Sequence, residues 1–426
     1  MSTTLEAPAA GTPRPRRTRT VRVALAGCGT VGGELVRQLR EGEAEIRARH
    51  GVRFEIAAIL VRRPDRPRAV EIDRGLLTTD VDAFLAADAE VVVEAIGGLD
   101  PALRIAEAAL GAGRRLVTAN KALVAAHGPR LAALARRGGA RLDFESAVRG
   151  GIPVVRALRD SLALTGITAV RGVVGGTTNY VLTRLAQGWR YADALADAQA
   201  RGFAGADPER DVSGQDAADK VRILAWLAFG VAPGAVAVRR RGIAAGADRL
   251  ARAAAASGGV LRLLAECART EDGVVASVEP VVVAPGSGFG RTLYEENAVQ
   301  VESARNGRVR LSGPGAGGAA TASALLGDMV RGGLRLPRPA PSAAAATADR
   351  RAHRWLVAAA GRCADDDFLA RTLARAGIVA ERVARGDGEV YVRTAPHPWG
   401  RIDLAARMLE SSGCAPAVAR LETERD

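Results

Sequence analysis

The 426-residue sequence predicts an α/β protein in three parts. These are an open parallel sheet of the dinucleotide-binding kind, an inserted α+β unit, and a small ferredoxin-like βαββαβ module at the C-terminus. Three observations carry the prediction. A short apolar strand, Val21–Ala26, runs into Gly27-Cys28-Gly29-Thr30-Val31-Gly32 and then into a helical pattern through Leu35, Val36 and Leu39. Strand, tight glycine turn and helix is the context in which such a turn seats a pyrophosphate on a helix N-terminus. Strand and helix patterns then alternate to about residue 145, as a parallel sheet with crossover helices requires. Beyond Ile167, period-two alternation indicates antiparallel strands.

In the first part, residues 21–145, Gly27 permits the turn, Gly29 admits a phosphate close to the backbone, and Gly32 allows close helix–strand packing, as in a Rossmann fold. The second strand, Phe54–Val61, ends in Arg62-Arg63 where an NAD enzyme usually carries an acid for the ribose hydroxyls. Two guanidiniums suit a 2′-phosphate, so NADP is favoured, with NAD left open. Glu90–Ile96 reads as a buried strand ending at Gly97-Gly98, followed by a helix over 101–110. Arg115–Thr118 is the next strand, and Thr118-Ala119-Asn120-Lys121 lies at its carboxyl end, where ligands of open α/β sheets gather. A helix over Pro129–Arg136 and a strand over Arg141–Glu145 complete this part.

The loop Glu145–Pro153 leads into a helix over 154–162, a strand over Thr168–Val174, and Gly175-Gly176-Thr177-Thr178-Asn179-Tyr180 opening another helix. Val274–Val283 and Ala298–Val301 read as antiparallel strands. Gly313-Pro314-Gly315-Ala316-Gly317-Gly318 precedes a small-residue helix to Val330, suited to packing back on the nucleotide sheet. The expected division is a basic tail over 1–20, a dinucleotide unit over 21–145 plus 308–335, a substrate and dimerisation unit over 146–307, a Pro/Ala/Ser linker over 336–349, and a terminal module over 350–426.

The candidate chemistry rests on lysine. Lys121 and Lys220 are the chain's two lysines among 60 basic residues; all the others are arginine. Arginine stays charged at any workable pH, whereas a lysine can be tuned to give or take a proton. Asp216 and Lys220 are i and i+4 on one helical face. Ser213 is placed to cap that helix, with Asp216 three residues on, close to a capping box. Apolar Val221, Ile223, Leu224 and Trp226 then carry the helix into a core.

Composition narrows the function further. No run approaches the about 18 apolar residues of a membrane span. The net charge of +13 comes from scattered arginines, and an aromatic content of 4% is thin for base stacking, so neither nucleic acid nor membrane is expected as a partner. The four cysteines and four histidines lack metal-ligand spacing, so neither a zinc site nor a disulfide frame is expected, which suits a reducing cytoplasm.

With these motifs assembled, the chain resembles the homoserine dehydrogenase family from about Val21 to Val330. The resemblance is carried by Gly27–Gly32, Val117-Thr-Ala-Asn-Lys-Ala-Leu-Val124, Phe144-Glu-Ser-Ala-Val-Arg-Gly-Gly-Ile-Pro153, Gly176-Thr-Thr-Asn-Tyr-Val-Leu182, the run Asp207-Pro208, Asp211, Asp216 and Lys220, and Gly313–Gly318. It implies NAD(P)-linked, reversible reduction of aspartate 4-semialdehyde to homoserine by a homodimer or homotetramer. Lys220 is then the acid/base at the carbonyl oxygen, Lys121 sits between cofactor and substrate, and Asp216 and Asp211 position substrate and lysine. Gly176, Thr177, Gly202 and Arg149 join the substrate set. Gly27, Gly29, Thr30, Val31, Gly32, Arg62, Arg63, Gly97, Thr118, Asn120, Lys121, Gly313 and Gly315 form the cofactor set. A monovalent cation, Na or K, is implied at Glu145 and the carbonyls of Val148, Gly150 and Ile152. The terminal βαββαβ unit resembles an ACT domain.

The departures cluster in the pocket. Gly205 stands where the family has the Glu that grips the substrate ammonium, Phe203 replaces a Tyr, Arg149 replaces a small residue, and Gly175 replaces an Asn. Losing an acceptor and gaining a guanidinium both favour a more anionic substrate, so a relative acting on a different hydroxy acid stands as the alternative. A cofactor-binding sensor without turnover is a third reading, against which the retention of both lysines argues. In the terminal module, Gly361–Asp367 departs from the usual effector-binding turn, which leaves a dimerising or structural role beside effector binding.

Overall fold

A computed structural model of the chain describes residues 18–148, 150–244, 246–315, 317–331, 344–346, 348–386 and 388–422. Six strands, β1 (Arg19–Ala26), β2 (Val52–Leu60), β3 (Leu77–Thr78), β4 (Val91–Glu94), β5 (Arg115–Thr118) and β6 (Leu142–Asp143), form a sheet in the order β3-β2-β1-β4-β5-β6. Every pairing in it is parallel. This is the doubly wound order, and its direction reverses between β1 and β4, where a ligand crevice opens. β1 begins inside the expected tail; residues 1–17 of that tail lie outside the described residues.

The second sheet holds β7 (Ile167–Val173), β8 (Val238–Arg240), β9 (Val260–Thr270), β10 (Gly273–Val283), β11 (Glu296–Ser303), β12 (Gly307–Pro314), β13 (Ala352–Ala360), β14 (Ala380–Gly386), β15 (Glu389–Thr394), β16 (His397–Pro398) and β17 (Ala417–Leu421). Its path is β12-β11-β7-β9-β10-β17-β13-β15-β14, with β8 beside β10 and β16 beside β13. The terminal module has the expected βαββαβ order, with helices Asp366–Arg375 and Trp399–Ser411. Its strand β17 pairs in parallel with β10 through Val281↔Arg420 and Val282↔Leu421, so the module's sheet continues the middle unit's.

Several expectations are corrected. β12 pairs antiparallel with β11, so residues 307–314 belong to the mixed sheet. Only the following helix, Gly318–Arg331, packs on the nucleotide unit. Its Leu325 and Met329 bury against Val23, Leu25 and Val36, and Gln38 Nε2 donates to Ala319 O at 3.0 Å. The helix expected over 129–136 is one helix, Lys121–Arg137, with Pro129 inside it. Its missing N–H falls in the third turn, yet the helix continues because close packing on both sides outweighs the lost bond. The helix Gln215–Phe229 starts at Gly214, in the left-handed region at φ 79°, and makes no side-chain cap bond, so Ser213 is not its cap. Ser213 instead ends the short helix Glu209–Val212. Cys363 and Cys414 form a disulfide, against expectation: 51 residues apart in sequence, they stand with Cα atoms 6.0 Å apart where the turn after β13 meets the end of the last helix. Of the expected linker, residues 336–343 and 347 lie outside the described residues, and Ala345 bridges to Val274.

The core joins the two sheets through a pair of helices. Trp226 of the helix Gln215–Phe229 is buried and stacks on Phe144 at 5.7 Å between ring centroids. A Cβ added at Gly128 would meet Trp226 Cζ3 at 2.8 Å, so the lysine-bearing helix Lys121–Arg137 comes this close only because residue 128 is glycine. Among the described residues no helix is long and apolar enough to cross a membrane.

Candidate active site

At the crevice between β1 and β4 the glycine turn is built as its sequence implies. Gly27 sits at φ +100°, where an L side chain is strained, and a Cβ there would meet Ala95 O at 2.7 Å. A Cβ on Gly32 would lie 1.9 Å from Gly27 O, so only glycine lets the helix start this close to the strand. At Gly29 a Cβ would meet nothing within 4 Å: that face opens on the cleft. The cleft, about 1000 Å³, is lined by Gly27, Gly29, Thr30, Arg62, Arg63, Gly97 and also Arg66, Arg68 and Gly318. Its size and its exposed helix start suit a dinucleotide. Val31 and Gly32 begin the helix behind the turn. Gly313 lies in β12, paired with Asn297; neither it nor Gly315, Thr118, Asn120 or Lys121 is among the lining residues, whereas Gly318 and Ala319 are.

Arg68 shapes the arginine-rich wall. Its guanidinium donates to Pro64 O at 2.8 Å, Arg66 O at 2.9 Å and Arg63 O at 2.9 Å, folding 62–68 back over the cleft. Arg66 and Arg68 were missed in sequence; the signal was the density of arginine after β2.

At the ends of β4 and β5 the polar residues interlock. Thr118 Oγ1 donates to Glu94 Oε2 and accepts from Asn120 N at 2.9 Å. Asn120 caps the next helix, its Oδ1 accepting from Leu123 N at 3.1 Å. Lys121 is that helix's first residue, which aims it across the crevice toward Gln215–Phe229.

There Lys121 Nζ donates to Asp216 Oδ1. Lys220 Nζ lies 2.5 Å from Asp216 Oδ2 and donates to Val174 O at 2.9 Å. The two lysines therefore meet on opposite oxygens of one carboxylate. Burial works to raise the Asp216 carboxyl, but the ammonium groups of Lys220 and Lys121 hold it well below the usual carboxylate range. Beside them Thr177 Oγ1 is 2.6 Å from Phe203 O and 3.0 Å from Asp211 Oδ2. Burial, and then the negative charge of Asp216, push the Asp211 carboxyl up. Gly176 and Thr177 open the helix Gly176–Ala186, and Gly202, at φ +76°, turns the chain after the helix Tyr191–Ala200 toward Phe203. Val174 was not expected at the site; a backbone acceptor leaves no mark in sequence.

The loop after Glu145 forms a separate polar cluster. The Glu145 carboxylate accepts from Val155 N at 2.7 Å and Arg156 N at 3.0 Å. Burial pushes its carboxyl up to about 7. A Cβ on Gly150 would meet Thr321 N at 2.9 Å, and one on Gly151 would meet Pro314 O at 2.4 Å, so the loop lies tight against the helix Gly318–Arg331 and the end of β12. Ile152 O accepts from Val154 N at 2.8 Å, and Val148 ends a buried helical turn. Arg149 lies outside the described residues. Among the described residues no cluster of three or more His, Cys, Asp or Glu could hold a metal ion.

A dinucleotide cleft together with a lysine–aspartate–lysine bridge between the helices Lys121–Arg137 and Gln215–Phe229 defines a nicotinamide-dependent oxidoreductase working on an alcohol or its carbonyl. Residues 27–145 match the family model "Homoserine dehydrogenase, NAD binding domain", and residues 153–330 match "Homoserine dehydrogenase". The homoserine dehydrogenase of Mycobacterium tuberculosis is 42% identical over 323 residues, covering 74% of this chain and 73% of that protein. That of Corynebacterium glutamicum is 42% identical over 317 residues, covering 73% of this chain and 71% of that protein. A solved homoserine dehydrogenase from Thiobacillus denitrificans, 30% identical, matches with a TM-score of 0.82 over 95% of this chain and 98% of its own. The chain belongs to the homoserine dehydrogenase family. It is an NAD(P)-dependent oxidoreductase acting on a CH–OH group, a homoserine dehydrogenase of amino-acid biosynthesis. The relatives give the alternative of a different, more anionic hydroxy acid no support.

Proposed function

We propose that Lys220 is the proton donor and acceptor of homoserine dehydrogenation, with Lys121 as its electrostatic partner. The single observation behind this reading is the Asp216 carboxylate joining the two ammonium groups. The nicotinamide, when bound, supplies or accepts the hydride at the substrate's C4. In reduction of the semialdehyde, charge develops on the carbonyl oxygen; the Lys220 ammonium stabilises it and gives its proton to the oxygen. In oxidation the neutral amine takes the hydroxyl proton. Asp216, kept ionised by its neighbours, holds both amines in place.

Asp211 and Thr177 orient the substrate, with Gly176 and Gly202 leaving room. The family's Glu is absent at Gly205, so the half-buried Asp211 carboxyl, pushed up by burial and by Asp216, is the acid that a substrate ammonium would pair with. NADP is preferred over NAD: Arg62, Arg63 and Arg66 supply guanidiniums where a 2′-phosphate would lie, and no acid ends β2. A monovalent cation fits the Glu145 loop. A buried carboxylate and the carbonyls of Val148, Gly150 and Ile152 are the oxygen donors such an ion takes, and its charge would offset the burial of Glu145. The assembly is a homodimer or homotetramer in the cytoplasm, with the middle unit as the dimerising part.

The test follows reduced-cofactor absorbance with homoserine and with the semialdehyde, using NADP and NAD in parallel, for wild type and Lys220→Arg. Turnover favouring NADP and lost in the variant supports the reading. A Lys220→Arg enzyme with wild-type kcat overturns the proton-transfer role.

A further inference from the structure

We propose that Glu94 is a positioning residue, one buried carboxylate fixing both the turn that receives the cofactor and the start of the helix that presents Lys121. The strand Val91-Val92-Val93-Glu94 is buried throughout, and Glu94 is 0% exposed. An acid at the end of such a strand is costly unless its oxygens are fully used, and here they are. Oε1 accepts from Ile96 N at 3.0 Å, Gly97 N at 3.2 Å and Asn120 Nδ2 at 3.4 Å; Oε2 accepts from Thr118 Oγ1. Among the described residues these partners are all neutral donors.

The bonds sort into two groups. Ile96 and Gly97 line the cofactor cleft. Thr118 passes the constraint to Asn120 N, and Asn120 both caps the helix at Leu123 N and donates to Gly98 O at 2.6 Å. Lys121 follows at once. The carboxylate thus ties the loops after two neighbouring strands to each other, and the first lysine of the site starts from that knot. Burial pushes the Glu94 carboxyl up and these four bonds work against it, each favouring the ionised form. A glutamine of the same shape turns one oxygen into a donor, which faces either the Thr118 hydroxyl or the two backbone N–H groups.

The Lys121 half of this proposal rests on the catalytic reading above; the cofactor half does not. The experiment uses the full chain with Glu94→Gln, Thr118→Val, Thr118→Ser and Lys121→Met. It measures NADPH affinity by fluorescence, kcat and KM for homoserine per titrated site, and thermal midpoint. Glu94→Gln and Thr118→Val are each expected to weaken NADPH binding and to lower kcat by about tenfold or more, the scale of a lost bond to a charged group. Thr118→Ser, which keeps the hydroxyl, should recover most of what Thr118→Val loses. A purely structural role would lower the midpoint while leaving NADPH affinity and kcat per site at wild type, and that result overturns the proposal. Should Thr118→Val alone fold, the same two readouts decide. If Lys121→Met keeps wild-type kcat, the catalytic reading of Lys121 fails, while weaker NADPH binding in Glu94→Gln still upholds the cofactor half. If Lys121→Met loses turnover and Glu94→Gln loses neither binding nor rate, Glu94 is the part that is wrong.

Discussion

Asp216 lies between two lysines; Glu266, in β9, lies among three arginines. Arg351 approaches one Glu266 oxygen at 2.5 Å, and Arg420 and Arg171 approach the other at 2.8 and 3.4 Å. Glu266 is buried and Asp216 half-buried, and in both the surrounding cations overcome desolvation and hold the acid well below the usual range. The difference lies in what the cation can do next. A guanidinium can only stay charged, so the Glu266 cluster fastens β7, β9, β17 and the approach to β13 together. An ammonium beside a carboxylate can exchange its proton with a substrate. In a chain that writes nearly every cation as arginine, lysine stands at the one node built on Asp216.

Exchanging the cation types separates the two nodes most directly. Lys220→Arg should lower kcat by about 100-fold or more, the share carried by a general acid–base group, with an unchanged thermal midpoint. Glu266→Gln should leave kcat per folded molecule unchanged and destabilise the protein by about 1.5–3 kcal/mol, because buried Arg420 loses its closer carboxylate and keeps only Glu279, at 3.4 Å; denaturant titration measures it. Gly128→Ala tests how the lysine node is assembled: the added methyl meets the Trp226 ring, which should cost about 1–3 kcal/mol and lower kcat by pushing Lys121 away from Asp216. The smallest effect concerns His353, beside the arginine node. Burial, and then the charges of Arg420 and Arg351, pull its imidazole down to about 4. The folded chain therefore holds His353 neutral where the unfolded chain would bind a proton, and stability is lost as pH falls from about 6.5 toward 4. His353→Gln should remove a loss on the order of 1 kcal/mol between pH 6.5 and 5.5, read from paired denaturation curves.

Much of the nucleotide unit was legible because its constraints are local. Gly27 and Gly32 must be glycine for reasons confined to one turn, and the alternation of strands and helices fixes a parallel sheet. Asp216 and Lys220 were legible as an i, i+4 pair, and Lys121 as the other lysine. Their union through one carboxylate was not, since it depends on two helices meeting over Gly128 and Trp226. The continuation of the mixed sheet into the terminal module was hidden for the same reason: nothing near Val281 names Arg420 as its neighbour. β9, a run of apolar residues with an acid and two arginines in it, went unread because its polar members find their partners far along the chain. Glu94 offered a signal that could have been used, an acid ending an unbroken apolar strand.

The pairing of β17 with β10 has a consequence for how the molecule is made. On the ribosome, β10 emerges with Val283 and β8 is already made to cover Ala276–Val278 of its outer edge, yet the neighbour of Val281 and Val282 arrives only when synthesis has passed Leu421. Until then the Val281–Val282 end of that apolar strand carries unclaimed backbone donors and acceptors, the kind of edge that recruits other chains. The terminal module is therefore a seal on the middle unit's sheet as well as an appendage to it.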